Sequence, residues 1–183
     1  MNRRAVVVVL AIAAGIGCAT SPAPRYYTID MQPSHKARAA CNIDIGRLRP
    51  TEALARNDML IKKSATEIEY YAADRWASNL GELIREKLET EFGRNPEAEK
   101  TVLVSGDILA FEQVDEATGA SARIKLVLEF RTEGAARDDG PVLRKIYELT
   151  APAKDQTPGA VAEALSRGLE QLAAAIIEDV NTL

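Results

Sequence analysis

The sequence predicts an α/β domain in which one mixed β-sheet is packed by two main helices. Three observations carry this expectation. Ala122–Thr132 alternates cleanly, with Ile124, Leu126, Leu128 and Phe130 on one side and Arg123, Lys125, Glu129 and Arg131 on the other. Two stretches, Trp76 to Phe92 and Val161 to Val180, repeat apolar residues at helical spacing. The order of strands, helix, strands and helix interleaves these elements in a single unit.

Ahead of that domain stands a targeting segment. Arg3 and Arg4 form a positive n-region, Ala5–Ile16 is an unbroken run of apolar and small residues, and Gly17 leads into Cys18. A small residue at −1 and cysteine at +1 read as a secretory signal of the bacterial lipobox type, with Cys18 lipidated at the mature N-terminus. An uncleaved anchor or ordinary secretory cleavage are the alternatives. The apolar run is shorter than the roughly 20 residues needed to span a bilayer. The expected organisation is signal peptide 1–17, lipidated cysteine and flexible tether 18–25, and a single domain 26–183. The tether holds Pro22 and Pro24. Its seven residues reach at most about 25 Å when extended.

Tyr26–Asp30 is β-prone and predicts the first strand. Gln32–Ala40, which contains Pro33 and the only histidine, His35, reads as a solvated loop. Cys41–Arg47, Asp58–Lys63 and Thr66–Tyr71 are short extended pieces, with Pro50 and the helix-prone Thr51–Arg56 between the first two. The first helix should open its apolar stripe at Trp76, continue through Leu80, Leu83, Ile84 and Leu88 to Phe92, and stop at Gly93. Arg85, Glu86, Lys87 and Glu89 form its wet face. Thr101–Gln113, Ala122–Thr132 and Val142–Thr150 then predict an antiparallel meander, turned at Ala117-Thr118-Gly119 and Asp138-Asp139-Gly140. Thr157 as N-cap with Pro158 at N1 starts the closing helix, which runs to about Val180. Ala164 and Ala173 beside its stripe allow close docking on the sheet.

Charge and cysteine content narrow the function. The net charge is −4, and loss of Arg3 and Arg4 with the signal makes it −6. A nucleic-acid role is excluded as a first reading, because phosphate binding wants a basic surface. With Cys18 lipidated, Cys41 is left without a disulfide partner and reads as a buried small hydrophobe.

A search for catalytic chemistry finds no constellation. One histidine and one remaining cysteine cannot furnish a Cys/His zinc site. A Ser–His–Asp triad would have to recruit His35 from a loop. No phosphate-cradling Gly-rich loop with its lysine is present. Asp107, Glu112, Asp115 and Glu116 read as an acidic strand end rather than a catalytic carboxylate pair. Neither enzyme nor cofactor is expected.

The richest stretch is Ile68–Leu80, which crosses from strand to helix and concentrates aromatic residues. Packing explains Tyr70 on the strand's inner face and Trp76 at the head of the helical stripe. Aromatic and arginine side chains also anchor protein interfaces. Tyr71 and Arg75, each one position off an inward residue, are the better candidates for contact with a partner, with Trp76 beside them.

These residues carry a resemblance. The lipobox at Cys18, the Tyr26-Tyr27-Thr28-Ile29 strand, and Ile43–Arg47 with the Arg49-Pro50 break are similar to the ABC-type transport auxiliary lipoproteins typified by paraquat-inducible protein C. So is Ile68-Glu69-Tyr70 followed by Arg75-Trp76-Ala77 and Leu80. The family usually has an acidic residue and proline where this chain has Ser78-Asn79. The resemblance implies a fold like the anticodon-binding domain and the N-terminal domain of TolB. It implies a non-enzymatic, periplasm-facing lipoprotein that assists an ABC permease, an ATPase and a mammalian-cell-entry-type protein in phospholipid transport. Docking at the outer membrane, in a ring of identical subunits, belongs to the same expectation. Ala19 is not the aspartate associated with inner-membrane retention. Two other readings stand beside it. One is an assembly lipoprotein for an envelope β-barrel or secretion complex. The other is a lipid carrier, which would need a closed apolar cavity.

Overall fold

The computed structural model describes residues 22–32, 39–134 and 140–183. Cys18 and His35 lie outside the described residues, as do the signal peptide and Asp138-Asp139. Among the described residues, seven strands form one mixed sheet: β1 (Arg25–Tyr27), β2 (Asn42–Pro50), β3 (Asp58–Lys62), β4 (Ile68–Trp76), β5 (Thr101–Glu116), β6 (Gly119–Thr132) and β7 (Leu143–Pro152). Two helices, α1 (Leu80–Phe92) and α2 (Pro158–Val180), follow β4 and β7. The predicted α/β architecture is the observed one.

Strand β5 is the spine of the sheet. One of its edges pairs antiparallel with β6, which pairs antiparallel with β7, as the predicted meander requires. Its other edge is shared end to end. β2 runs parallel along the first half, from Thr101 to Ile108, and β3 runs parallel at Gln113 and Val114. The sheet continues through β4 to the short parallel edge strand β1.

Register places the core on one face. Ile45 lies level with Val104 and Phe130, and Leu48 with Gly106 and Leu128. These residues are buried under the helices, α1 over β2 and α2 over β6 and β7. Ile124, Leu126, Leu128 and Phe130 are all buried, while Arg123, Lys125, Glu129 and Arg131 lie on the other face, as their alternation predicts. The bare face is laced by ion pairs, among them Arg123–Glu148 (2.8 Å), Lys125–Glu148 (2.7 Å) and Arg49–Asp107 (2.8 Å).

Several boundaries differ from expectation, each for a local reason. The first strand stops at Tyr27, because the chain then leaves the sheet and runs along α2. There the Asp30 amide donates to Ser166 Oγ (3.1 Å) and the Gln32 amide to Glu170 Oε1 (2.7 Å). Ile29 is consequently buried. Thr51–Arg56 yields only a 3-10 turn, Glu52–Leu54. The first helix starts at Leu80, four residues later than the apolar stripe suggests. Sheet pairing overrides that stripe: the Trp76 amide donates to the Asn57 carbonyl (2.6 Å) and the Ala77 amide to the Tyr27 carbonyl (2.8 Å). Asn79 then caps α1 by accepting from the Gly81 amide (3.0 Å).

Glycine at 81 answers a close approach. A Cβ there would stand 2.3 Å from the Leu48 carbonyl oxygen, so its absence lets the helix start press onto β2. Thr157 caps α2, accepting from the Ala160 amide at 3.3 Å, with Pro158 first in the helix as predicted.

Candidate functional site

The Ile68–Leu80 stretch is strand as far as Trp76, and the bulge in that strand decides where its side chains point. Asp58 pairs with Arg75 while Leu60 pairs with Tyr70, so four residues of β4 bulge out opposite Met59. Beyond the bulge, Asp74 and Trp76 face the core and Arg75 faces away.

Trp76 is 2% exposed and packs edge-on against Phe111, with ring centroids 5.4 Å apart. This corrects two expectations. The indole heads no helical stripe, and it offers no surface to a partner, because sheet pairing turns it into the core. Tyr71 is half-buried on the α2 side. Its hydroxyl lies 2.5 Å from Gln113 Oε1 and 2.9 Å from the Gln156 carbonyl, tying β4 to β5 and to the approach to α2. Burial, with Asp115 and Asp74 nearby, pushes the Tyr71 phenol up to about 12. The network continues from Gln113 Nε2 to Asp115 Oδ1 (2.5 Å) and from Lys63 Nζ to Asp115 Oδ2 (2.5 Å). Burial would raise the Asp115 carboxyl, but hydrogen bonds from Lys63 and Gln113 outweigh it and hold the group below the usual range.

At the edge of the same region, Arg25 clasps Asp74 with Nε at 2.7 Å and Nη2 at 3.0 Å. Asp74 is 4% exposed, so this bidentate pair neutralises a buried charge. Burial first, and then Asp74, raise the neighbouring Tyr27 phenol.

The surface cluster forms around Arg75. Arg75 Nε lies 3.1 Å from Asp58 Oδ1, and Arg56 Nε lies 3.0 Å from Asp58 Oδ2. The Arg56 guanidinium stands 4.6 Å from the centre of the Tyr70 ring, whose hydroxyl donates to the Ala53 carbonyl at 2.9 Å. Tyr26, the register partner of Arg75 on β1, is 62% exposed. Sequence reasoning singled out Arg75 and missed Tyr26 beside it. The signal was Arg25-Tyr26-Tyr27 in a short edge strand, where alternation sends one ring inward and the other out. Exposed aromatic and arginine groups of this kind supply interface anchors.

The acidic residues of β5 are distributed rather than paired as a catalytic dyad. Asp107 pairs with Arg49 on the bare face, Glu112 lies 3.5 Å from Arg123, and Asp115 is held by Lys63. Burial raises the Glu112 carboxyl against the pull of Arg123 and Lys62. Among the described residues, no group of three or more His, Cys, Asp or Glu side chains is placed to hold a metal. Cys41 is half-buried rather than fully buried, because it stands one residue before β2 rather than within it. It lines a cleft of about 420 Å3 with Lys100, Val102, Val180, Asn181 and Leu183, at the end of the sheet remote from the β5–β6 turn. Burial raises its thiol.

A family model described as the ABC-type transport auxiliary lipoprotein component matches residues 27–177. A crystal structure of a Xanthomonas campestris protein of the DUF330 family is similar in fold. It has a TM-score of 0.71 at 14% identity, covering 84% of this chain and 92% of that one. A second solved structure, described only as an uncharacterized protein, has a TM-score of 0.66 at 14% identity, covering 87% of this chain and 99% of that one. No curated protein matches the chain.

Proposed function

The chain belongs to the ABC-type transport auxiliary lipoprotein family, and on that premise we propose that it is a non-catalytic docking or assembly subunit of an envelope phospholipid transporter. In this reading, lipid on Cys18 anchors the domain in the outer membrane and the domain faces the periplasm. Its partner is the mammalian-cell-entry-type protein of a system driven by an ABC permease and ATPase, and identical subunits assemble in a ring. The observation that carries the reading is the family match over residues 27–177, which takes in all but the edges of the domain. The surface chemistry agrees with it. Asp107, Glu112 and Asp115 of β5 are engaged in ion pairs, while Arg75 and Tyr26 stand outward together. We assign the partner contact to these two side chains, with Tyr71 and Trp76 supporting the strand from within.

Mild crosslinking of intact envelopes, followed by isolation of this lipoprotein, tests the proposal. A mammalian-cell-entry-type protein should be recovered with it. Recovery of a β-barrel assembly or secretion component instead, with no transport protein, would overturn the reading.

A further inference from the structure

We propose that the domain stands on the bilayer by the end of its sheet that carries the β5–β6 turn, with the opposite end held away from the lipid. The inference rests on Cys18 being the anchor and adds a geometric constraint. Seven residue-to-residue steps lead from Cys18 to Arg25, so even a fully extended tether reaches about 25 Å.

Register fixes where that tether enters. Arg25 pairs with Asp74, next to Arg75, which pairs with Asp58. Asp58 stands three residues before Ile61, the partner of Gln113, so the tether meets the sheet near the level of Ala110. From there Glu116 and the β5–β6 turn lie six residues along the strand, about 20 Å at the usual rise. Thr101 lies nine residues the other way, about 30 Å, and the 93–100 connection stands at that far end, where the Asn95 amide donates to Asn42 Oδ1 at 2.8 Å. The tether can pass the turn end to reach lipid, and it is too short to pass the far end. The near end therefore presents the Lys63–Glu67 connection, the Ala117–Gly119 turn and the Ala153–Gln156 connection to the lipid headgroups. The cleft beside Cys41 opens at the remote end.

Energy transfer to a headgroup acceptor tests this orientation. Full-length protein carrying Cys41→Ala is prepared with either Thr118→Cys or Glu97→Cys, both positions being exposed. After processing it is labelled with a donor fluorophore and reconstituted in phosphatidylethanolamine–phosphatidylglycerol vesicles containing a headgroup-labelled acceptor. The donor at residue 118 should be quenched at least twofold more than the donor at residue 97. Equal quenching, or stronger quenching at 97, in protein shown by mass to carry lipid would overturn the orientation and leave the anchor standing. Absence of lipid on Cys18 would overturn both.

Discussion

Arg25 and Asp74 show how much of this domain's order depends on single polar contacts. Asp74 is buried, yet its partner's side chain is 65% exposed, so water can replace part of what Arg25 supplies. Arg25→Ala should lower stability modestly, because it leaves the buried Asp74 carboxylate without its bidentate partner while water replaces part of the contact, read as a reduced urea midpoint. Asp115 makes a pH prediction. Its folded carboxyl titrates below its unfolded value because Lys63 and Gln113 donate to it despite burial. Its contribution is thus present above the ordinary carboxylate range, about pH 4, and is lost as pH falls through the lower folded value. Chemical-denaturation curves from pH 7 to pH 3 should show a shallower acid loss for Asp115→Asn than for the unaltered protein. Of the candidate residues, Arg75 was legible because it stands one position off the inward Trp76. Trp76 was misread because its spacing to Leu80, Leu83 and Phe92 fits a helix as well as it fits the end of a strand. Tyr71 was only half legible: its hydroxyl partners come from β5 and the approach to α2, far away in sequence.

At the level of elements, the strands with one buried face declared themselves. Ile124 to Phe130 alternate because α2 covers one side of β6 and solvent bathes the other. Helix α2 was equally plain, since Thr157-Pro158 and an apolar stripe give its start and buried face together. Pairings were not legible. That β2 and β3 share one edge of β5 depends on contacts between distant segments, and short apolar runs carry no partner information. The bulge in β4 was hidden for the same reason. Gly81 was silent in the sequence, where a glycine near a helix start reads as tolerated rather than required. Its missing Cβ makes room for the Leu48 carbonyl. Gly81→Ala should push α1 off β2 and cost about 1–3 kcal/mol, visible as a lower thermal midpoint with helical content retained below it.

Taken whole, the molecule has a packed face under two helices, a bare sheet face laced with ion pairs, and an edge where Arg75 and Tyr26 project together. No helix among the described residues is long and apolar enough to cross a membrane. In the proposed account attachment is made by Cys18, through more than one acyl chain, since a single chain binds only marginally. Cys18→Ala should move the protein from the detergent phase to the aqueous phase in phase partitioning, or leave unprocessed precursor. Unchanged detergent partitioning of mature-sized protein would count against the anchor. The docking role is tested most directly by replacing Arg75 with a photo-crosslinking amino acid, irradiating living cells and identifying the adducts by mass spectrometry. The account predicts an adduct to a mammalian-cell-entry-type transport protein. Adducts confined to β-barrel assembly or secretion components would contradict it.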